Sequence, residues 1–278
     1  MKNILKIMLM MITIFTIAGS AVYAAEIPVS DQDQLITSSD WTEISNLQDE
    51  MKKEEPDATI DYDKALKVYV DCNLIKLQTA DTKKLTSALE SANYVWVIPF
   101  KMEKTYGMFT VAKGLPLSEE AKSVLTKAEQ EEVKNHAGKW MITETAEHTV
   151  EPYYDILLEK REALSDCTRV VLVGSQPGMR QPVALGMDDE TARIWISLGY
   201  QYPVMEKIPE TQNEESGVYS FDSVAEISDT YIEDSEVSTG AGVQSRSSMK
   251  YVAGIGIIVI GSILILSVLK KKKLEDYE

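Results

Sequence analysis

The stretch RVVLVGSQPGMRQPVALG, residues 169–186, gathers two glycines, a serine and an arginine at the end of an apolar run, and so invites three kinds of chemistry. A phosphate-binding loop needs Gly-x-x-x-x-Gly-Lys-Ser/Thr, because backbone amides cradle the phosphates while the lysine and hydroxyl complete the site. Here only three residues separate Gly174 from Gly178, Met179 and Arg180 stand next, and no helical pattern follows. A serine nucleophile on a strand-to-helix elbow needs Gly-x-Ser-x-Gly. In GSQPG, Ser175 comes one place early and Pro177 takes the inner position. The spacing instead predicts a hairpin tip over 174–180, built on a Pro-Gly turn with glycine supplying positive φ. Met179 and Arg180, at that exposed tip, are the candidate partner contacts.

Other reactive types are sparse. His136 and His148 are the two histidines, with no His-Glu-x-x-His or Cys-x-x-Cys spacing beside them. No metal ligand set, cofactor site or catalytic residue is therefore expected. Ser247 and Lys250 in SSMK have the spacing by which a lysine activates an acylating serine, but the companion motifs of that chemistry are missing. The segment EVSTG, 236–240, has the outline of a cell-wall sorting signal, with Val237 where proline belongs. Cys72 and Cys167 are expected to form a disulfide in an oxidising compartment, closing a loop of roughly a hundred residues worth up to about 4–5 kcal/mol; two buried free thiols are the alternative.

Location is written at the two ends. Residues 1–24 join Lys2 and Lys6 to an apolar stretch, and Val22 and Ala24 fit the small-residue cleavage pattern, which predicts a secretory signal peptide. Residues 251–269 carry no charge and, at the helical rise, cover roughly 28 Å of hydrocarbon. Lys270, Lys271, Lys272 and Lys273 follow at once, so the positive-inside bias places the tail 270–278 in the cytoplasm and the bulk of the chain outside. Gly254 and Gly261 share a face of this predicted transmembrane helix and offer a weak surface for homodimer formation.

The whole chain carries a formal net charge of −16. Setting aside six lysines and three acids in the two ends leaves 22 basic and 41 acidic residues outside, a net charge of −19. That charge excludes nucleic acid as a partner, since a phosphate backbone demands clustered lysine and arginine. The partner is expected to be a protein or another cell-surface ligand.

The elements that must position any site read as follows. Residues 25–59 form a helical lead-in, where Trp41, Ile44, Leu47 and Met51 recur at helical spacing and Pro56 ends the pattern. Residues 60–208 form the main domain. Its helices are a first capped by Asp81; a second over 117–138, capped by Ser118, with Ala121, Val124, Leu125 and Ala128 facing inward; and a third opening at Pro152. Strands are expected at LKVYVD, YVWVIPFKM, YGMFTVA, KWMITE, RVVLVG, QPVALGM and ARIWISLGY, with Pro99 marking an edge or a bulge. Trp96 and Trp195 fall in alternating strands and are expected in the core. Helices scattered early and a strand meander late predict an α+β fold: a mainly antiparallel sheet with about three helices in one extracellular domain, plus one transmembrane helix. Residues 209–250, rich in acids and serine, read as a self-repelling stalk, within which Val218, Tyr219, Phe221 and Val224 form a candidate docked patch.

The pattern points to a membrane-tethered binding, sensing or scaffolding module of a bacterial cell surface. The alternatives are an exported hydrolase or peptidase, or an accessory subunit of a membrane complex. An exposed sheet edge or shallow apolar groove favours binding; a pocket gathering acids or a Ser-His pair favours catalysis.

Overall fold

The computed structural model describes residues 27–148, 151–174, 176, 182–199 and 217–226. The segments expected to be a signal peptide (1–24), a transmembrane helix with Gly254 and Gly261 (251–269) and a tail (270–278) lie outside them, as do Ser247, Lys250, Met179 and Arg180. Among the described residues no helix is long and apolar enough to cross a membrane.

In chain order the elements are α1 (Trp41–Ile44), α2 (Gln48–Glu54), β1 (Thr59–Ile60), β2 (Leu66–Val70), α3 (Thr82–Glu90), β3 (Asn93–Lys101), β4 (Tyr106–Lys113), α4 (Glu119–Val124), α5 (Lys127–His136), β5 (Trp140–His148), α6 (Tyr153–Glu159), β6 (Arg169–Val173), β7 (Val183–Met187), β8 (Ala192–Ser197) and β9 (Val218–Ser220). A final helix, α7, spans 221–226. The fold is α+β with a mostly antiparallel sheet, ordered β5-β4-β3-β2-β6-β7-β8-β9, and β1 pairs with β3 beside this path. Two antiparallel meanders, β2 to β5 and β6 to β9, join through their first strands. That junction is parallel and short, with Val68 opposite Leu172 and Tyr69 opposite Val173.

Strand alternation divides the apolar residues between two faces. On one face Trp96, Ile98, Phe100, Phe109 and Val111 pack with Leu35, Ile44 and Met51 of the N-terminal segment. Along the same face Val171, Val173, Leu185, Trp195 and Tyr219 meet Leu85 and Leu89 of α3 and Phe221 and Val224 of α7. The opposite face buries Val68, Val170, Leu172 and Ile196 under Tyr153, Ile156 and Leu157 of α6. Trp96 and Trp195 are both fully buried.

Several expectations change in detail. The disulfide does not form: Cys72 and Cys167 are free, buried thiols. Cys72 belongs to the α3 face and Cys167 to the α6 face, so the sheet separates them. Burial raises both thiols to about 11, with Asp71 adding to the rise at Cys72 and Asp166 at Cys167. Both therefore stay protonated and unreactive near neutral pH.

The long helix over 117–138 is two. Leu125 is extended, and Thr126 restarts the chain with a reciprocal cap, its hydroxyl taking the Glu129 N–H while the Glu129 carboxylate takes the Thr126 N–H. The sequence signature is Thr-x-x-Glu, a capping box inside an apolar stripe. Val124, expected inward, is 67% exposed. Gly138 does close the segment, with φ of 76°. Pro99 lies inside β3, at the step where β2 ends opposite Val97 and β1 begins opposite Phe100. Its carbonyl accepts the Asp61 N–H there, so the missing proline donor falls at a gap between neighbours. The strand read as KWMITE runs on to nine residues. Residues 217–226, within the segment read as a stalk, contribute β9 and α7, with Val218, Tyr219, Phe221 and Val224 all buried.

Candidate functional site

The RVVLVGSQPGMRQPVALG stretch does form a hairpin, β6 to β7, closed by Val173 opposite Val183. Gly174 has neither a positive φ nor a close neighbour: a Cβ there would meet Val68 and Val70 at an ordinary 3.5 Å. The side chain that organises the region is Gln176, only 3% exposed. Its amide nitrogen donates to the carbonyls of Cys72 (2.6 Å) and Gly174 (2.9 Å), and its amide oxygen accepts the Leu74 N–H at 3.1 Å. Gln176 thus stitches the loop after β6 to the loop after β2, and all three bonds are spent on backbone.

The charged residues that come together do so at the parallel junction. β2 and β6 diverge toward their starts, and residues 29–34 fill the gap, with Val29 bridged to Val170 and Gln34 to Leu66. This wedge delivers Asp33, 2% exposed, onto the aromatic face. One carboxylate oxygen accepts from the Tyr69 hydroxyl at 2.8 Å and lies 3.8 Å from Lys67 Nζ. The other accepts from Ser30 (2.6 Å) and from Arg169 (3.1 Å). Lys67 sits among three rings, 4.6 Å from the centroid of Tyr94, 5.3 Å from Trp96 and 5.8 Å from Tyr69. The next turn of the N-terminal segment adds Asp40, which accepts from Tyr94 at 2.8 Å and from Trp96 Nε1 at 3.0 Å.

Burial lowers the Lys67 ammonium from its usual range, against the opposing pull of Asp33 and Asp40. Burial pushes the Tyr69 and Tyr94 phenols up, and the neighbouring carboxylates push the same way. Both oxygens of Asp33 have partners, and Lys67 is capped by rings. The cluster is a clamp that fastens residues 27–58 to the sheet, and every bond in it joins groups of this chain.

His136 ends α5 and His148 ends β5. Among the described residues no three His, Cys, Asp or Glu side chains gather as a metal set. A shallow cleft of about 280 Å³ lies between the 75–80 turn and α7, lined by Ile75, Gln78, Ala80, Phe221, Asp222 and Glu226. Its two acids stand one helical turn apart on the same short helix.

A long strand edge lies at the other end of the sheet. β5 pairs with β4 alone among the described residues, leaving the outer side of a nine-residue strand as an edge. Met141, Ile142 and Ala146 on it are half-buried, while Glu144 and Glu147 are exposed. Thr143 is the extra residue of a bulge, because Thr110 faces Glu144 and Val111 faces Ile142. The Thr145 hydroxyl donates to Glu54 of α2, which brings a third acid beside the strand. Between β4 and β5 the arm carrying α4 and α5 projects without a buried side chain among its described ones. No family model, curated protein or solved structure matches the chain. The edge was invisible in the sequence, because KWMITE shows neither where the strand ends nor that a strand lies on one side only. The clamp was equally hidden, since Asp33 and Arg169 are 136 residues apart.

Proposed function

We propose that the chain is a membrane-tethered extracellular binding module of a bacterial cell surface, working in sensing or scaffolding. The observation that carries the binding half of this reading is the β5 edge. A strand of nine residues with one side unmatched among the described residues offers main-chain donors and acceptors to an incoming strand, and half-buried apolar side chains to hold it. The tether rests on the sequence: a leader ending at Ala24, and the uncharged 251–269 run closed by four lysines. The last described residue of the domain is 226, and the two dozen residues from there to that run supply the tether that holds the domain off the bilayer.

The test is protease treatment of intact cells expressing the full chain with an epitope at each end of the mature sequence. The expected result is a mature N-terminus at Ala25, loss of the N-terminal epitope from intact cells, and retention of the C-terminal epitope in the membrane fraction. Protection of both epitopes until the membrane is broken would overturn the reading.

A further inference from the structure

The geometry points to an occupant for the β5 edge: an extended segment of a partner protein carrying lysine or arginine at positions three apart. This rests on the binding-module reading and names the partner chemistry of that same surface. Glu144 stands opposite Thr110, and Glu147 opposite Gly107. Residues three apart in a strand point to opposite faces. Here the faces are known independently. Thr110 pairs with Val97, which packs on the α6 side, and a Cβ on Gly107 would strike the Phe100 ring on the other side. The edge therefore presents one carboxylate above the sheet and one below, with Glu54 as a further acid beside Thr145.

Charge decides which strands can pair there. A second copy of this chain in the fully overlapped antiparallel register sets Glu144 against Glu144, the midpoint of the strand, and like charges directly opposite destabilise a pair. Neutral and acidic strands leave both carboxylates without a counter-charge as their surroundings lose water. Exposed charges on an edge strand oppose indiscriminate pairing, and the bulge at Thr143 adds to that protection. A strand with basic residues at i and i+3 turns the same two carboxylates into attractive cross-strand partners, one on each face, so the feature that excludes most strands selects this one. Met141 and Ile142 before the two glutamates, and Ala146 between them, supply half-buried apolar contact.

The experiment measures binding of synthetic ten-residue peptides to the full chain in detergent micelles by fluorescence anisotropy. One peptide has two lysines three apart in a threonine–valine background. A second has them two apart, so both point to one face. A third keeps the three-residue spacing but carries a central proline, which removes a main-chain donor without changing charge. The first is expected to bind about threefold tighter than the second and about tenfold tighter than the third, and to weaken as salt rises. The double variant Glu144→Lys with Glu147→Lys is expected to lose that peptide and to favour its glutamate counterpart. Both positions are exposed, and unchanged circular dichroism checks that the fold is intact. Equal binding of all three peptides, or binding of none, overturns the proposal while leaving the surface-display result standing.

Discussion

Replacing Asp33 with alanine is expected to cost the folded state about 3–5 kcal/mol, the range for breaking a buried ion pair by removing one partner. The carboxylate is 2% exposed and answers four groups: Tyr69, Ser30, Arg169 and Lys67. Without it the Lys67 ammonium keeps the rings of Tyr94, Trp96 and Tyr69 and the more distant charge of Asp40, but loses its nearest anion. The loss is large against the roughly 5–15 kcal/mol that an ordinary domain has in total. Urea unfolding of the full chain, followed by tryptophan fluorescence, should show a lower midpoint at unchanged slope. Pairing Asp33→Leu with Lys67→Met should recover part of the loss, because the lysine charge goes with its anion and Arg169, the other cation at Asp33, is 26% exposed to water. A change below about 1 kcal/mol in the alanine variant, the range of solvent-exposed pairs, would show that the cluster is hydrated rather than a clamp.

The second large effect is expected at Phe221, in a segment whose composition reads as stalk. Phe221→Ala should destabilise the domain by about 3–5 kcal/mol, the usual cost of emptying a buried aromatic site. The ring is 2% exposed and lies 6.1 Å from that of Trp195, with Val224 buried in the same cluster. A solvated stalk residue would change stability by no more than about 0.5 kcal/mol. The same urea experiment separates the two, and a changed near-ultraviolet spectrum of Trp195 would locate the loss at this end of the sheet.

These two positions show what sequence can and cannot convey about this fold. Local signals read well: Asp81 and Ser118 cap helices with their side chains, and Trp96 and Trp195 are buried where strand alternation puts them. Ile44 and Met51, from the stripe in the lead-in, are fully buried. The acids surrounding residues 217–226 make the long window read as stalk, whereas the local patch of Val218, Tyr219, Phe221 and Val224 within it is buried as its composition suggests. A helix stripe from Ala121 to Ala128 hid the Thr126–Glu129 box that breaks it. Long-range pairing left no local trace at all. The parallel contact of β2 with β6 and the partners of Asp40, 54 and 56 residues away, are set by packing across the sheet. Cys72 and Cys167 make an even pair in the sequence, yet the sheet stands between them.

The central claim is that this domain holds a partner along its β5 edge. It is tested most directly by placing a photo-crosslinking residue at Ala146, on that edge, in the full chain in native membranes. The control carries the same group at exposed Lys84 on α3. Illumination is expected to yield a discrete adduct from Ala146 and none from Lys84, with the adduct lost in the Glu144→Lys, Glu147→Lys background. Equal adducts from both positions, or none from Ala146, would contradict the account.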